Sequence, residues 1–250
     1  MKTASPDIVD IWAGDQDLPA WFIEAMAVPR EDAFVEVDGT KVHYFRWGTR
    51  GDNFDIVAYD LAGMGDSDIP EDCDNEARAQ GMIAVAEALD LFGGPAKPKI
   101  IAHSFGSGVA LRAMEIAGGN FGGLIICDLM VMRPEKLAAH FASGGGPPGS
   151  GRSDRPNKAY PDYESARSRF ILSPPQDAQA PFLLEYMAYH SMRRVAGGWS
   201  WKFDPMVFHR NENDMAKWTQ TPQRIVDLPH RLAIVYGEKS RLFDGDSAAY

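Results

Sequence analysis

The sequence predicts an α/β protein with a mostly parallel, twisted sheet that carries helices on both faces. Short apolar runs alternate with helical patterns along much of the 250 residues, and this alternation favours parallel strands joined by right-handed crossovers. One run of β-branched residues stops at a serine and passes at once into a helical pattern. A hydrophobic content of 45% is sufficient for one large core.

The elements of the sheet follow in order along the chain. Residues 34–48 alternate in polarity on both sides of Asp38-Gly39, which predicts a β-hairpin. Apolar runs and helical periodicity then place further strands and two helices between them. The strands are predicted at 54–60, as a short buried strand, and at 99–103, 122–128 and 231–237. The helices are predicted at about 76–92 and 109–116.

The region from 129 to 229 interrupts this alternation. It contains helical stretches, of which 181–195 is the clearest, and a glycine-rich tract at 144–151 that predicts a loop. Its aromatic residues predict a local core, because large rings bury much apolar area, although Trp199 and Trp201 are also candidates for lining a substrate pocket. The aromatic cluster consists of Trp199, Trp201, Phe203 and Phe208.

Ser104 lies at the turn between the strand at 99–103 and the next helix, in Ala-His-Ser-Phe-Gly at 102–106. The layout is that of a nucleophile elbow, in which strained backbone raises the serine hydroxyl at the carboxyl end of the sheet. Small residues two positions away are expected to prevent collisions with the adjoining elements. The Phe105 N–H, in the first helical turn, would then point at a developing oxyanion. The alternative is an ordinary helix start, with Ser104 as a side-chain N-cap.

A second motif follows the strand at 54–60. Asp60, Gly63, Gly65 and Ser67 fit the pattern Asp-x-x-Gly-x-Gly-x-Ser. Together with the elbow, this turn resembles the α/β-hydrolase family. The resemblance implies that the turn is structural. It also implies that 129–229 is a helical cap inserted into a hydrolase core formed by 1–128 and 230–250.

The resemblance further implies a Ser-His-Asp triad with Ser104 as the nucleophile. The family places the acid either after the last predicted strand, in the pattern Gly-Glu-x-Asp, or one strand earlier, but this chain has Gly-Glu-Lys-Ser at 237–240. Asp128 follows the preceding strand, at the carboxyl edge of the sheet, and is therefore the candidate acid. A helix N-cap is the alternative role of Asp128, and Asp244 and Asp246 are weaker candidates for the acid.

The base does not stand in its expected place. In the family the histidine follows the last strand, and none of the six histidines of this chain is found there. His103 adjoins the nucleophile, where neighbouring side chains point apart, so we expect it to line the substrate pocket. The base would then be a histidine outside these 250 residues, with one from the 129–229 region as a weaker alternative. The remaining histidines are His43, His140, His190, His209 and His230.

A strand and a helix of the family pattern are also missing from the sequence. Family members place a strand ending in His-Gly after the hairpin, and its loop donates the second oxyanion N–H. Here residues 47–53 connect the hairpin directly to the strand at 54–60. Either the sequence omits a segment of the natural protein, or the chain carries an internal deletion. Direct pairing of the strands at 54–60 and 99–103 would favour the deletion.

Composition limits the function further. A formal net charge of −10 argues against nucleic acid and anionic membranes as partners, and two cysteines favour a reducing cytoplasm. We therefore expect a cytoplasmic serine hydrolase that needs neither cofactor nor metal and acts on an ester of a small, partly apolar molecule. A homodimer is left open. The alternatives are hydrolysis of a carbon–carbon bond in a diketone-like substrate and a catalytically impaired binding protein.

Overall fold

The computed structural model describes residues 18–49, 51–52, 54–71, 73–142, 156–172, 176, 180–206 and 219–250. These residues form two compact units. The first contains the described residues of 1–69 and 153–205, and the second those of 70–152 and 206–250. The region predicted as a cap, 129–229, is therefore divided between the units, and its position over the site stays a prediction. The glycine-rich tract at 144–151, Phe208 and His209 lie outside the described residues.

The first unit is built on an antiparallel sheet. Helix α1 (Ala20–Ala27) precedes strands β1 (Glu31–Val37) and β2 (Thr40–Trp47), and β3 (Ile56–Tyr59) pairs with the other side of β2. Asp38 and Gly39 turn the chain between β1 and β2 with φ values of 48° and 80°. Both residues have the positive φ that a tight two-residue hairpin requires, so the predicted hairpin is confirmed.

Strand β3 was predicted as a buried strand, and this detail is wrong. Phe54 is 76% exposed and Ile56 is 52% exposed. The reason is that β3 is an edge strand: among the described strands it pairs with β2 alone. Apolar side chains that a second neighbouring strand would help to cover are therefore left in contact with solvent.

The first unit also contains α5 (Tyr163–Arg167), α6 (Pro181–His190) and a hairpin of β6 (Met192–Val195) and β7 (Gly198–Trp201). The helix predicted for 181–195 thus ends five residues early. Gly197 and Gly198 adopt φ values of 89° and 130°, and this turn returns the chain as an antiparallel strand. The predicted aromatic core is present, since Trp199 is only 8% exposed among Ala166, Ala188 and Met192, with Trp201 packed against the group.

The second unit contains a parallel sheet in the order β4 (Lys99–His103), β5 (Gly123–Cys127) and β8 (Leu232–Val235). This sheet and its connecting helices confirm the α/β fold class. Helix α2 begins after Asp74, whose carboxylate accepts the Ala77 N–H. The helices are α2 (Asn75–Ala88), α3 (Phe105–Ala117), α4 (Pro134–Ala142), α7 (Thr221–Asp227) and α8 (Gly245–Ala249), with short 3₁₀ turns at Leu91–Gly93 and Gly118–Asn120.

Strand β4 is an edge strand of the parallel sheet. Among the described strands it pairs with β5 and not with β3, which belongs to the other sheet. Ile101, in the middle of β4, is 72% exposed. The direct pairing of β3 with β4, which would have favoured an internal deletion, is therefore not observed. Residues 50 and 53, in the connection between β2 and β3, lie outside the described part of the chain.

Among the helices of the described residues, none combines the length and the apolar character that crossing a bilayer requires.

Candidate active site

Ser104 occupies the turn between β4 and α3 in an unusual backbone conformation. Its φ is 47° and its ψ is −119°, and its side chain makes no capping hydrogen bond to the helix. The backbone is held on both sides, because the Ser104 N–H donates to the Cys127 carbonyl and the Ser107 N–H donates to the Ser104 carbonyl, each at 2.9 Å. An ordinary N-cap has extended backbone and a bonded side chain. Ser104 has neither, so its geometry is that of the elbow.

The glycines that follow Ser104 do not play the part expected from the sequence. Apart from its chain neighbours and the backbone of its own helix, a Cβ atom added to Gly106 would meet no heavy atom within 4 Å among the described residues. The expected collision is therefore absent. Among the described strands, β4 has a neighbour on one side alone, and the space around Gly106 agrees with that edge position.

Phe105 is the first residue of α3, so its N–H belongs to the positively polarised end of the helix. The guanidinium of Arg78, a side chain only 1% exposed, lies 5.4 Å from the centre of the Phe105 ring, within the range of a cation–π interaction. His103 is exposed at the last position of β4, beside Cys127 in the register of β5. Its predicted role in substrate binding stays a prediction.

Asp128 directly follows β5 and lies at the same sheet edge as Ser104. This placement follows from the parallel register, which sets His103 beside Cys127. Asp128 has a φ of 54°, and its N–H donates to the Val235 carbonyl at 2.9 Å. It is not a helix N-cap, because α4 begins only at Pro134.

The weaker candidates for the acid have other contacts. The Asp244 carboxylate accepts the Ser247 N–H at 2.9 Å and so caps α8. The Asp246 carboxylate lies 3.1 Å from the Arg133 guanidinium and 2.8 Å from the Lys136 ammonium. The Lys136 and Arg133 cations lower the pKa of Asp246, which keeps its carboxyl ionised.

Ser240 was noted in the sequence only as a departure from the family pattern. In the structure its hydroxyl donates a hydrogen bond to Oδ1 of Asp128. Oγ of Ser240 in turn accepts the N–H groups of Leu242 and Phe243 at 3.0 Å and 3.1 Å. Ser240, which stands where the family usually has the acid, is therefore hydrogen-bonded to Asp128, which stands at the alternative acid position.

No described histidine is hydrogen-bonded to Ser104. His230 precedes β8, so it lies at the amino end of the parallel sheet, opposite Ser104. There its ring packs so closely that a Cβ on Gly118 would come within 2.2 Å of it. His140 is on α4, and His43 and His190 belong to the first unit.

In the first unit, the second sequence motif forms a closed hydrogen-bond network. Oδ2 of Asp60 lies 2.8 Å from Nδ1 of His43 and accepts the Asp66 N–H at 2.8 Å. The Ser67 hydroxyl donates to the Asp60 carbonyl at 2.7 Å and accepts the His43 N–H at 2.9 Å. A Cβ on Gly65 would come within 2.1 Å of the Asp60 carboxylate. These contacts agree with a structural role for the turn.

His43 lies between two carboxylates and is only 3% exposed. Its Nε2 is 3.0 Å from Oδ1 of Asp32, and its Nδ1 contacts Asp60. Burial lowers the pKa of His43, but the hydrogen bonds to Asp60 and Asp32 outweigh burial and raise it above 6.5. The protonated imidazolium can donate to both carboxylates at once.

The same network contains the residues that could together ligate a metal ion. One ligand atom from each of His43, Asp60 and Asp66 lies within 4.8 Å of the others. However, the Lys202 ammonium is 2.6 Å from Oδ2 of Asp66, and both ring nitrogens of His43 contact carboxylates. Two cationic side chains thus already balance the charge of these carboxylates.

Comparison with known proteins identifies the family. The sequence pattern of the α/β hydrolase family matches residues 42–249, and the chain therefore belongs to this family. No curated protein sequence matches it.

Solved structures show a similar fold at low sequence identity. An E-2-(acetamidomethylene)succinate hydrolase has a TM-score of 0.64 at 16% identity, covering 88% of this chain and 85% of that one. A thioesterase domain from the curacin biosynthetic pathway has a TM-score of 0.62 at 17% identity, covering 88% and 87%. An esterase of M. tuberculosis has a TM-score of 0.61 at 19% identity, covering 97% and 83%. These similarities extend to the fold alone.

Proposed function

We propose that this α/β hydrolase is a serine hydrolase that cleaves a carboxylic ester of a small, partly apolar molecule. The observation that carries the proposal is the backbone of Ser104, with φ 47° and ψ −119° and no capping bond from its side chain. Such a conformation costs about 1–3 kcal/mol and is concentrated at active sites. A serine that served only to start a helix would not need it.

The mechanism follows from the placement of three groups at one sheet edge. Oγ of Ser104 attacks the ester carbonyl carbon, and the Phe105 N–H donates to the oxyanion that forms. A histidine acting as the base takes the serine proton and returns it to the leaving alcohol. Asp128 orients that histidine. Water then attacks the acyl carbon while the same histidine takes its proton. Oγ of Ser104 leaves with that proton, and the carboxylic acid is released.

The fold neighbours support an acyl substrate without identifying it. One is described as an esterase and another as a thioesterase domain, and both names refer to cleavage beside an acyl carbon. Hydrolysis of a carbon–carbon bond would use the same Ser104 and would differ only in the pocket. The substrate-binding role of Trp199 and Trp201 stays a prediction from the sequence, since in the structure both residues belong to the aromatic core of the first unit.

A non-catalytic binding role is the second candidate function. It is favoured by one observation: among the described residues, no histidine is hydrogen-bonded to Ser104. A serine hydroxyl without a base stays protonated and attacks slowly, so loss of a triad member costs on the order of ten-thousandfold in turnover. We therefore expect the 250-residue chain to be an impaired catalyst.

The test measures turnover of p-nitrophenyl butyrate and labelling by a fluorophosphonate probe. The chain should hydrolyse the ester slowly, and peptide mapping should find the label on Ser104. Both signals should disappear in Ser104→Ala and persist in Ser168→Ala, which removes an exposed hydroxyl that donates to the Ser165 carbonyl. Unchanged turnover in Ser104→Ala, with the label on another residue, would refute the serine-hydrolase function.

A further inference from the structure

We propose that Ser240 is a positioning residue that fixes the carboxylate of Asp128 for its work on the catalytic base. The proposal rests on the proposed function, because it assigns a role to a residue that acts through the triad acid. It goes beyond that function because Ser240 touches neither the nucleophile nor, on this assignment, the substrate. The contact joins residues 112 positions apart in the chain.

The hydrogen bonds of Ser240 determine the direction in which its proton points. A hydroxyl has one proton to donate and two lone pairs with which to accept. Both lone pairs are used, by the N–H groups of Leu242 at 3.0 Å and Phe243 at 3.1 Å. The proton is therefore directed to Oδ1 of Asp128. Ser240 can serve this carboxylate only as a donor.

The backbone of Asp128 is anchored to β8, and that of Ser240 is held in the turn that follows β8. The Asp128 N–H donates to the Val235 carbonyl at the end of β8, and the Ser240 N–H donates to the Gly237 carbonyl, both at 2.9 Å. Because β5 and β8 are paired in parallel, the two loops that follow them meet at one edge. The Asp128–Ser240 contact therefore has little freedom to shift.

This arrangement divides the work of the Asp128 carboxylate between its two oxygens. Within the described residues, the hydrogen bond to the Asp128 side chain involves Oδ1. Oδ2 then remains to accept the ring N–H of the base, which is the task of the acid in a triad. Without Ser240 the carboxylate could rotate about its terminal bond, and the base would be oriented in a smaller fraction of molecules.

The experiment supplies imidazole as the base. In its presence Oγ of Ser104 forms a bond to the carbonyl carbon of p-nitrophenyl butyrate, imidazole takes the serine proton, and p-nitrophenolate leaves. Water then releases butyrate from the acyl-enzyme. Imidazole also cleaves p-nitrophenyl butyrate directly, and this background is measured with Ser104→Ala. Subtracting it from the rate of each variant gives the Ser104-dependent rate.

Ser240→Ala should lower the Ser104-dependent kcat about tenfold and leave KM unchanged. A tenfold loss is what the removal of one hydrogen bond to a charged group is expected to cause. Ser240→Thr keeps a hydroxyl and should restore most of kcat. The matched control is Ser247→Ala, which removes another hydroxyl of the same segment that donates to the Val131 carbonyl at 2.5 Å. It should leave kcat unchanged.

A double-mutant cycle separates positioning from a general structural effect. If Ser240 acts through Asp128, adding Ser240→Ala to Asp128→Asn should lower kcat no further than Asp128→Asn does alone. Additive losses, or equal losses in Ser240→Ala and Ser240→Thr, would overturn the positioning role while leaving the serine-hydrolase function in place. If no turnover depends on Ser104 at all, both proposals are overturned.

Discussion

Asp60 and Asp128 each directly follow a β-strand, but their surroundings differ. The Asp60 side chain contacts His43 and the Asp66 N–H, and its carbonyl accepts the Ser67 hydroxyl. Asp128 has a positive φ of 54° and one side-chain hydrogen bond among the described residues, from Ser240. The first carboxylate contacts a buried histidine on β2 and an N–H of its own loop, both through Oδ2, whereas the second accepts one hydroxyl, on Oδ1.

The difference shows how the same residue type takes two roles. A carboxylate that contacts a buried histidine and an N–H of its own turn stabilises that turn. A carboxylate on strained backbone, at the sheet edge that holds Ser104, is placed to orient a catalytic base. Asp60 should therefore matter mainly for stability, and Asp128 mainly for turnover.

The largest effect on stability is expected from Asp60→Asn. It removes one of the two negative partners of buried His43 and should lower the free energy of unfolding by about 3 kcal/mol. Urea denaturation at neutral pH measures the change. Glu36→Gln, which neutralises an exposed carboxylate on β1, is the control and should change it by less than about 0.5 kcal/mol. Equal effects of the two variants would contradict the structural role.

Asp128→Asn should have the opposite effects, with a large loss of kcat and a small change in stability. In the assay with imidazole, the Ser104-dependent kcat should fall about a hundredfold, less than in a complete triad because added imidazole is held less firmly. The free energy of unfolding should change by less than about 1 kcal/mol, since one partly exposed hydrogen bond is altered. A large loss of stability with unchanged kcat would mean that Asp128, like Asp60, is structural.

The sequence predicted those features that depend on neighbouring residues. Asp38-Gly39 predicted the hairpin because a two-residue turn needs positive φ at both positions. The strand, serine and helix at 99–117 predicted the elbow because its strain is local. Asp128 could be placed at the sheet edge because parallel strands end at the same side.

Features that depend on distant residues could not be predicted in this way. The Asp128–Ser240 contact joins loops 112 positions apart, and the sequence showed only that Ser240 departs from the family pattern. The exposure of Phe54 and Ile101 depends on which strands pair, which periodicity does not report. The turn at Gly197-Gly198 did carry a local signal, and a continuous helical interpretation of 181–195 overlooked it.

Gly65→Ala should disturb the closed network by steric means. Gly65 has a φ of 58°, and a Cβ there would come within 2.1 Å of the Asp60 carboxylate. We expect the free energy of unfolding to fall by about 2 kcal/mol, from backbone strain and displacement of Asp60. Gly39→Ala is the matched control, because its φ is also positive at 80° but the space around it is open. A similar loss in both variants would show that the contact with Asp60 is not important.

The pH dependence of stability should report on His43. Its pKa is raised in the folded protein, so its contribution is fully present below pH 6.5 and is lost as the pH rises through the folded value. The free energy of unfolding should fall by up to about 1.4 kcal/mol per pH unit within that window. Asp32→Asn removes a contact that raises the pKa of His43, so it should shorten the pH range over which stability falls. His103→Gln, at an exposed site, should leave that pH range unchanged. Stability that is constant from pH 6 to pH 9 would contradict an ion pair.

The smallest effect is expected at the elbow itself, from Gly106→Ala. Gly106 lies in the first turn of α3, and a Cβ there would meet no heavy atom within 4 Å among the described residues. Alanine favours the helix over glycine, so the free energy of unfolding should rise by about 0.5 kcal/mol. Thermal or urea denaturation measures the change, with Gly108→Ala, equally open in the same helix, as the control. A loss of stability confined to Gly106→Ala would mean that Gly106 is more closely packed than its described surroundings indicate.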